Sequence, residues 1–309
     1  MGQWQKRERT WVSGQENNIA LCGLSLAPAN LSISDEVFSL FSELIYGKSG
    51  IRLGIQKKIL LTSRLARRIA MLGIKGFYDY YQVVKTNEDE LVEMLNCIST
   101  NTTKFFREAH HFEYLKNKVM PELLKTNASD KSIRIWSAGC STGEEPYSIA
   151  ITVHEAMKTI LPSHIAGEGK WNIKILATDI STKAMDGAKT GIYEYQQLPD
   201  NMQTYIMSRY FMKGAKANDG KIMIKGFIKD MIRFRRLNFK ESAYPFSKKF
   251  DVIFCRNVMI YFDENMRTHV INKFYEHLSD NGHLFLGHSE TILNKERFIP
   301  VHITVHRKR

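Results

Sequence analysis

Two adjacent carboxylates, Glu144 and Glu145, follow a glycine loop in "IWSAGCSTGEEPYSIA" (135–150) and open what reads as a helix. A glycine loop between strand and helix is where nucleotide-binding chains hold phosphate, on backbone N–H groups at the positive end of the helix dipole. A P-loop carries lysine after its last glycine; Glu144 stands there instead. A dinucleotide loop needs G-x-G-x-x-G, and here only Gly139 and Gly143 are present. Two carboxylates would repel phosphate in either case.

A nucleoside ligand carrying a positive group in place of phosphate fits better. S-adenosylmethionine has an ammonium and a sulfonium. A loop carboxylate can pair with the ammonium, while helix N–H groups take the ligand's own carboxylate. "ILATDIS" supports this, because Asp179 ends the next apolar run, where an acidic side chain accepts ribose hydroxyls. Complementation of the helix dipole by Glu144 and Glu145, and capping by Asp179, explain each residue equally well when taken singly. Two such residues at successive strand ends favour the ligand.

The elements that would position these groups are legible as alternating runs. From Ile133 onward, "IRIWSAG", "IKILATDI", "FDVIFCRN" and "GHLFLGH" read as buried strands, and helical stretches lie between them. Continuous apolar strands joined by crossover helices predict an α/β, doubly wound sheet. Between Gly191 and Asn238 the alternation stops. "RYFMKG", "GKIMIKG" and "DMIRFRRLNF" predict a small antiparallel β insertion at about 192–236 whose last strand returns to the main sheet. Residues 31–100 show four helical patterns, the first placing Val37, Phe38, Phe41, Leu44 and Ile45 on one face, and predict an all-α N-terminal domain. Residues 101–309 then form the ligand-binding domain. Residues 1–30 lack periodicity and read as a disordered tail; "IALCGLSLAPA" (19–29) follows too polar a lead to be a signal core.

The chain has 309 residues and a formal charge of +12, which suits an acidic partner. Cys22, Cys97, Cys140 and Cys255 form no C-x-x-C pair, which argues for reduced thiols, a cytoplasmic setting and no metal site. No apolar run is long enough to span a bilayer. In "TNTTKFFREAHHFEYL" (100–115), Phe105, Phe106, Phe112 and Leu115 are expected on one helix face, with Arg107 and Glu108 paired among them. His110 and His111 are expected to be packed or solvated.

"STNTTKFFREAHHF", "WSAGCSTGEEPYSIA", "ATDIS", "FDVIFCRNVMIYFD" and "LFLGHSE" resemble, in order, the motifs of the chemotaxis receptor methyltransferases. These are bacterial S-adenosylmethionine-dependent protein-glutamate O-methyltransferases with a class I, Rossmann-like sheet. The likeness runs from about residue 31 to the end. It implies cofactor contacts from Asn101, Thr103, Arg107, Glu145 or Glu144, Asp179, Asn238, Phe239, Arg256 and Asn257. It places Arg107 and Tyr261 beside the transferred methyl, with S-adenosylhomocysteine as product. It also favours receptor docking by the basic face of the second helix, Lys57, Arg64, Arg67 and Arg68, over a merely solvated face. The partner implied is the cytoplasmic domain of methyl-accepting receptors, approached by a monomer that neither enters membranes nor binds nucleic acid. A receptor C-terminal peptide could add to the β insertion, where "MKGAKANDGKIMI" has Gly214 and Gly220 with Lys216 and Ala217 between them.

Two other functions compete. The charge suits a nucleic-acid methyltransferase, although "RNVMIY" lacks the Asn-Pro-Pro-aromatic run and Cys255 reads as a small buried strand residue rather than a nucleophile. A cofactor-binding module without turnover is disfavoured by the intact Arg107 and Tyr261.

Overall fold

Ser34 caps the first helix, its hydroxyl accepting from the Val37 N–H, and Gly50 closes that helix in the left-handed region at φ 74°. In the computed structural model, which describes residues 10–11, 32–161, 171–200, 202–292 and 296–309, four helices between residues 35 and 98 pack together ahead of the sheet. They are α1 (Asp35–Ser49), α2 (Lys58–Met71), α3 (Phe77–Thr86) and α4 (Glu88–Ile98). Their apolar positions recur at helical spacing, so Phe38, Phe41, Ile45, Leu65, Ile69, Tyr80, Met94 and Leu95 meet in one buried cluster.

Seven strands form the main sheet in the order β10-β11-β9-β8-β2-β3-β7. They are β2 (Ser132–Ala138), β3 (Asn172–Asp179), β7 (Ile232–Arg236), β8 (Phe250–Cys255), β9 (Leu278–Leu286), β10 (Phe298–His302) and β11 (Val305–Lys308). The strands from β9 to β7 pair in parallel, and β11 and β10 add antiparallel at one edge. Helices cover both faces, which is why the central strands β2 and β8 are buried along most of their length. α6 (Glu144–Ile160) packs Ile149, Val153 and Ala156 against one face. α7 (Glu264–His277) packs Val270 and Phe274 against the other, around the fully buried Trp136. Trp136 satisfies its indole N–H on Thr178 Oγ1 at 2.8 Å. Strand β2 lies between β3 and β8, so the chain order reverses there and a crevice opens above the carboxyl ends of β2 and β8.

A second sheet, β1-β5-β6-β4, is built on the insertion by β4 (Ile192–Glu194), β5 (Phe211–Gly214) and β6 (Lys221–Ile224), paired antiparallel. Its first strand corrects the expectation of a featureless tail. β1 (Thr10–Trp11) pairs in parallel with β5, Thr10 opposite Lys213 and Trp11 opposite Gly214. The rest of residues 1–30, Cys22 included, lies outside the described residues.

The expected helix over 100–115 is also corrected. Residues 101–108 are irregular, Phe106 and Glu108 both adopt left-handed φ (52° and 58°), and α5 (Ala109–Tyr114) begins only after them. Competing bonds hold the loop: the Phe106 N–H donates to Ser148 Oγ at 2.9 Å, and Arg256 donates to the Arg107 carbonyl. Left-handed backbone at two non-glycine residues is costly, and it persists only where surrounding contacts over-determine it.

Candidate active site

The crevice above β2 and β8 is a cavity closed on its far side by the helical domain. Its floor is the glycine loop. Gly139 and Gly143 adopt φ 90° and 100°, and a Cβ on Gly139 would sit 2.3 Å from Val258 Cγ2. The Gly139 and Cys140 N–H groups both donate to the Thr178 carbonyl, at 2.8 and 2.9 Å, which pins the loop to the end of β3.

Asp179 follows on that strand. Its Oδ2 accepts the Ser141 N–H at 2.8 Å and its Oδ1 accepts the Ser181 N–H at 2.9 Å. Asp179 lines the cavity, and a carboxylate's two oxygens can accept about four hydrogen bonds, more than these donors fill. Burial raises the Asp179 carboxyl above its usual value, and these backbone donors pull it back.

The two loop carboxylates part company. Glu145 lines the cavity, accepting from Ser137 Oγ at 2.7 Å and from Arg256 at 3.2 Å. Glu144 is buried toward the insertion, taking the Thr142 hydroxyl at 2.7 Å and Gln197 at 3.5 Å, and is off the cavity. Helix geometry dictates this, because adjacent residues lie about 100° apart around the axis and cannot share a target. Burial raises both carboxyls, and the Arg256 charge opposes the shift at Glu145.

Arg256 is itself buried. Its guanidinium lies 3.2 Å from Glu108 Oε2 and 3.2 Å from Glu145 Oε2. Glu108 therefore pairs with Arg256, not with Arg107 as expected from the sequence. Arg107 donates to the Thr102 carbonyl at 3.4 Å and lines the cavity.

Comparison with known proteins settles the family. The model of "CheR methyltransferase, SAM binding domain" matches residues 101–307, and that of "CheR methyltransferase, all-alpha domain" matches 36–99. The chain belongs to the CheR methyltransferase family. It is 41% identical to a chemotaxis protein methyltransferase of Borreliella burgdorferi, over 85% of this chain and 90% of that one. It is 37% identical to the chemotaxis protein methyltransferase of Escherichia coli, over 86% and 88%. A probable chemotaxis protein methyltransferase of Rhizobium etli is 38% identical, over 85% and 96%.

This CheR-family chain is thus an S-adenosylmethionine-dependent methyltransferase, and its cavity suits that cofactor. Glu145 offers a buried carboxylate to an ammonium, Asp179 offers lone pairs to hydroxyls, and Ile180, Leu237, Phe239 and Val258 supply apolar walls for a base. Arg256, which would otherwise invite phosphate, is taken up by two carboxylates.

Asn101, Thr103, Arg107, Asp179, Asn238, Phe239, Arg256, Asn257 and Tyr261 all line this cavity with Glu145. Asn238 also donates to the Lys48 carbonyl at 2.6 Å, and the Tyr261 carbonyl accepts the Arg52 N–H at 2.9 Å. These bonds tie the helical domain to the site. Sequence reasoning missed the wall they build from Ile51, Arg52, Leu53 and Leu60. The sequence signal for its first three residues is the glycine pair, Gly50 and Gly54, on either side of them; Leu60 lies on α2.

The basic face of α2 is divided. Lys57 and Arg67 are exposed, and Lys57 reaches the cavity. Arg64 donates to the Ile98 and Ser99 carbonyls at the end of α4, and Arg68 forks onto buried Glu90 at 2.9 and 2.6 Å. These two arginines hold the helices together instead of forming a free docking face. The His110 and His111 ring centroids are 4.2 Å apart, with the His288 and His302 rings close by. Among the described residues no group of three or more side chains is arranged to hold a metal ion. Burial pushes the His111 imidazole down to about 3 and the Cys255 thiol well up, so neither is poised for chemistry.

Proposed function

We propose that this chain methylates glutamate side chains on the cytoplasmic helices of chemotaxis receptors, giving glutamate methyl esters and S-adenosylhomocysteine. One observation carries the reading. Arg52, Lys57, Lys104 and Arg107 line the cavity, while no histidine or cysteine does so among the described residues. Such a mouth attracts an acidic side chain and offers no thiol or imidazole. A glutamate needs neither, because its carboxylate is already ionised at neutral pH, with an unperturbed pKa of about 4.3.

Bound S-adenosylmethionine supplies a methyl group on a sulfonium. The chain's own residues then have to place an incoming carboxylate in line with that group and keep water out. Arg107 orients the carboxylate by a bidentate contact. Tyr261 donates a hydrogen bond to it or supports Arg107. Glu145 would hold the cofactor's ammonium and Asp179 its ribose hydroxyls, and Phe239, Leu237 and Val258 would exclude solvent from its base. Exposed Arg67 on α2 and Lys57 just before it lead the acidic receptor helix to the mouth, a contact that weakens with salt.

The protein acts in the cytoplasm as a monomer. A receptor C-terminal peptide would add to the insertion sheet, whose β5 edge carries Thr10–Trp11. The +12 charge also suits nucleic acid, but relatives named for chemotaxis weigh against that reading.

The experiment is transfer of labelled methyl from S-adenosylmethionine to purified receptor cytoplasmic fragments, with RNA and DNA alongside. Label released from protein as methanol by mild alkali is expected. Label that resists alkali, or enters nucleic acid alone, overturns the proposal.

A further inference from the structure

Glu290 is a buried carboxylate that makes no ion pair among the described residues and has four backbone N–H groups around it. Its Oε2 accepts from Asn257 at 2.9 Å and Gly287 at 2.7 Å. Its Oε1 accepts from Val258 at 2.9 Å and Met259 at 2.7 Å. A carboxylate buried without water is tolerated only when its lone pairs are filled in this way. Conversely, three successive N–H groups after β8 have no strand partner there and depend on this one side chain.

The segment it gathers is the cavity wall opposite the glycine loop. Asn257 turns through φ 60°, which throws its side chain onto the cavity. Val258 presses its Cγ2 into the space that a Cβ on Gly139 would fill. Two residues beyond Met259, Tyr261 lines the same cavity.

The geometry points to Glu290 as a positioning residue. It sets the Asn257–Tyr261 segment against Gly139 and so fixes both the cofactor's wall and the Tyr261 hydroxyl, without touching either ligand. The role rests on the cavity being the cofactor site. It predicts that disturbing Glu290 alters cofactor affinity and turnover together, while receptor docking through α2 stays unchanged.

Glu290→Gln keeps the shape but leaves an amide nitrogen facing two of the four N–H groups. Gly287→Ala tests the same contact from the other side, since its Cβ would lie 2.8 Å from the Asn257 N and 2.9 Å from Glu290 Oε2. It serves also if Glu290→Gln does not fold. Calorimetry with S-adenosylhomocysteine and steady-state methylation of receptor fragments are read well below each variant's melting temperature. The expected result is a Kd raised about tenfold or more, the size of one lost buried hydrogen bond. With it, kcat falls at saturating cofactor, and the KM for the fragment stays within about twofold. A lowered melting temperature with Kd and kcat unchanged would reduce Glu290 to a structural residue and overturn the inference. Wild-type protein that ignores S-adenosylhomocysteine would instead overturn the cofactor cavity, and this role with it.

Discussion

Glu145 stands 3.2 Å from the Arg256 guanidinium, and that pairing separates it from its neighbour Glu144. One carboxylate lines the cavity with the Arg256 cation beside it. The other is spent on Thr142 and Gln197.

Glu145→Gln should therefore weaken S-adenosylhomocysteine binding at pH 7. The loss of one charge-assisted hydrogen bond, about 1.5–3 kcal/mol, corresponds to roughly 10- to 100-fold in Kd. Glu144→Gln should leave the Kd close to wild type and lower only the melting temperature. Calorimetry on both variants checks the assignment, and equal losses would refute it.

Affinity should also depend on pH with a definite sign. Burial holds the Glu145 carboxyl above its ordinary value in the free protein, whereas the ligand's ammonium favours the ionised form. Binding then releases protons when pH is near the raised value. Affinity is full above that value and falls as pH drops through it. Asp179, also raised, adds in the same direction if its ionised form accepts the hydroxyls. A Kd profile from pH 8 to 5 should steepen at the acid end for wild type and flatten for Glu145→Gln.

Arg107→Ala should abolish turnover while the protein still folds, because Arg107 donates to one carbonyl at 3.4 Å and supports little else. Losing a positioned donor to the reacting carboxylate costs roughly 100-fold or more in kcat. Tyr261→Phe should cost less, since only the hydroxyl is removed. Near-wild-type kcat in Arg107→Ala would remove it from the chemistry.

Arg68 and Arg67 should behave oppositely despite being adjacent. Arg68→Ala strands the buried Glu90 carboxylate, a change that costs about 3–5 kcal/mol when such a pair is broken. Arg67→Ala should leave the melting temperature alone and weaken receptor-fragment binding most at low salt. Thermal melts and fragment binding at two ionic strengths separate them.

Much of this site was legible because its residues sit at strand ends, where period and composition mark them. Asp179, Arg256 and Asn257 follow apolar runs, and the glycine loop advertises its turn. Side-chain direction within a short segment was not legible. Arg64 and Arg68 look equivalent to Arg67 in a helical repeat, and only the packing of α4 against α2 turns them inward. The left-handed turns at Phe106 and Glu108 carry no glycine signal; contacts from Ser148 and Arg256, both remote in sequence, impose them. The strand at Thr10–Trp11 is too short for a pattern and exists through pairing with β5. Glu290 gives no sign of its four N–H partners, because three of them lie about thirty residues away.

A crystal structure with S-adenosylhomocysteine bound tests the central claim most directly. The account predicts the amino group on Glu145, the ribose hydroxyls on Asp179 and the adenine between Leu237, Phe239 and Val258. An amino group on Glu144, or a ligand seated away from the β2–β8 crevice, would contradict it.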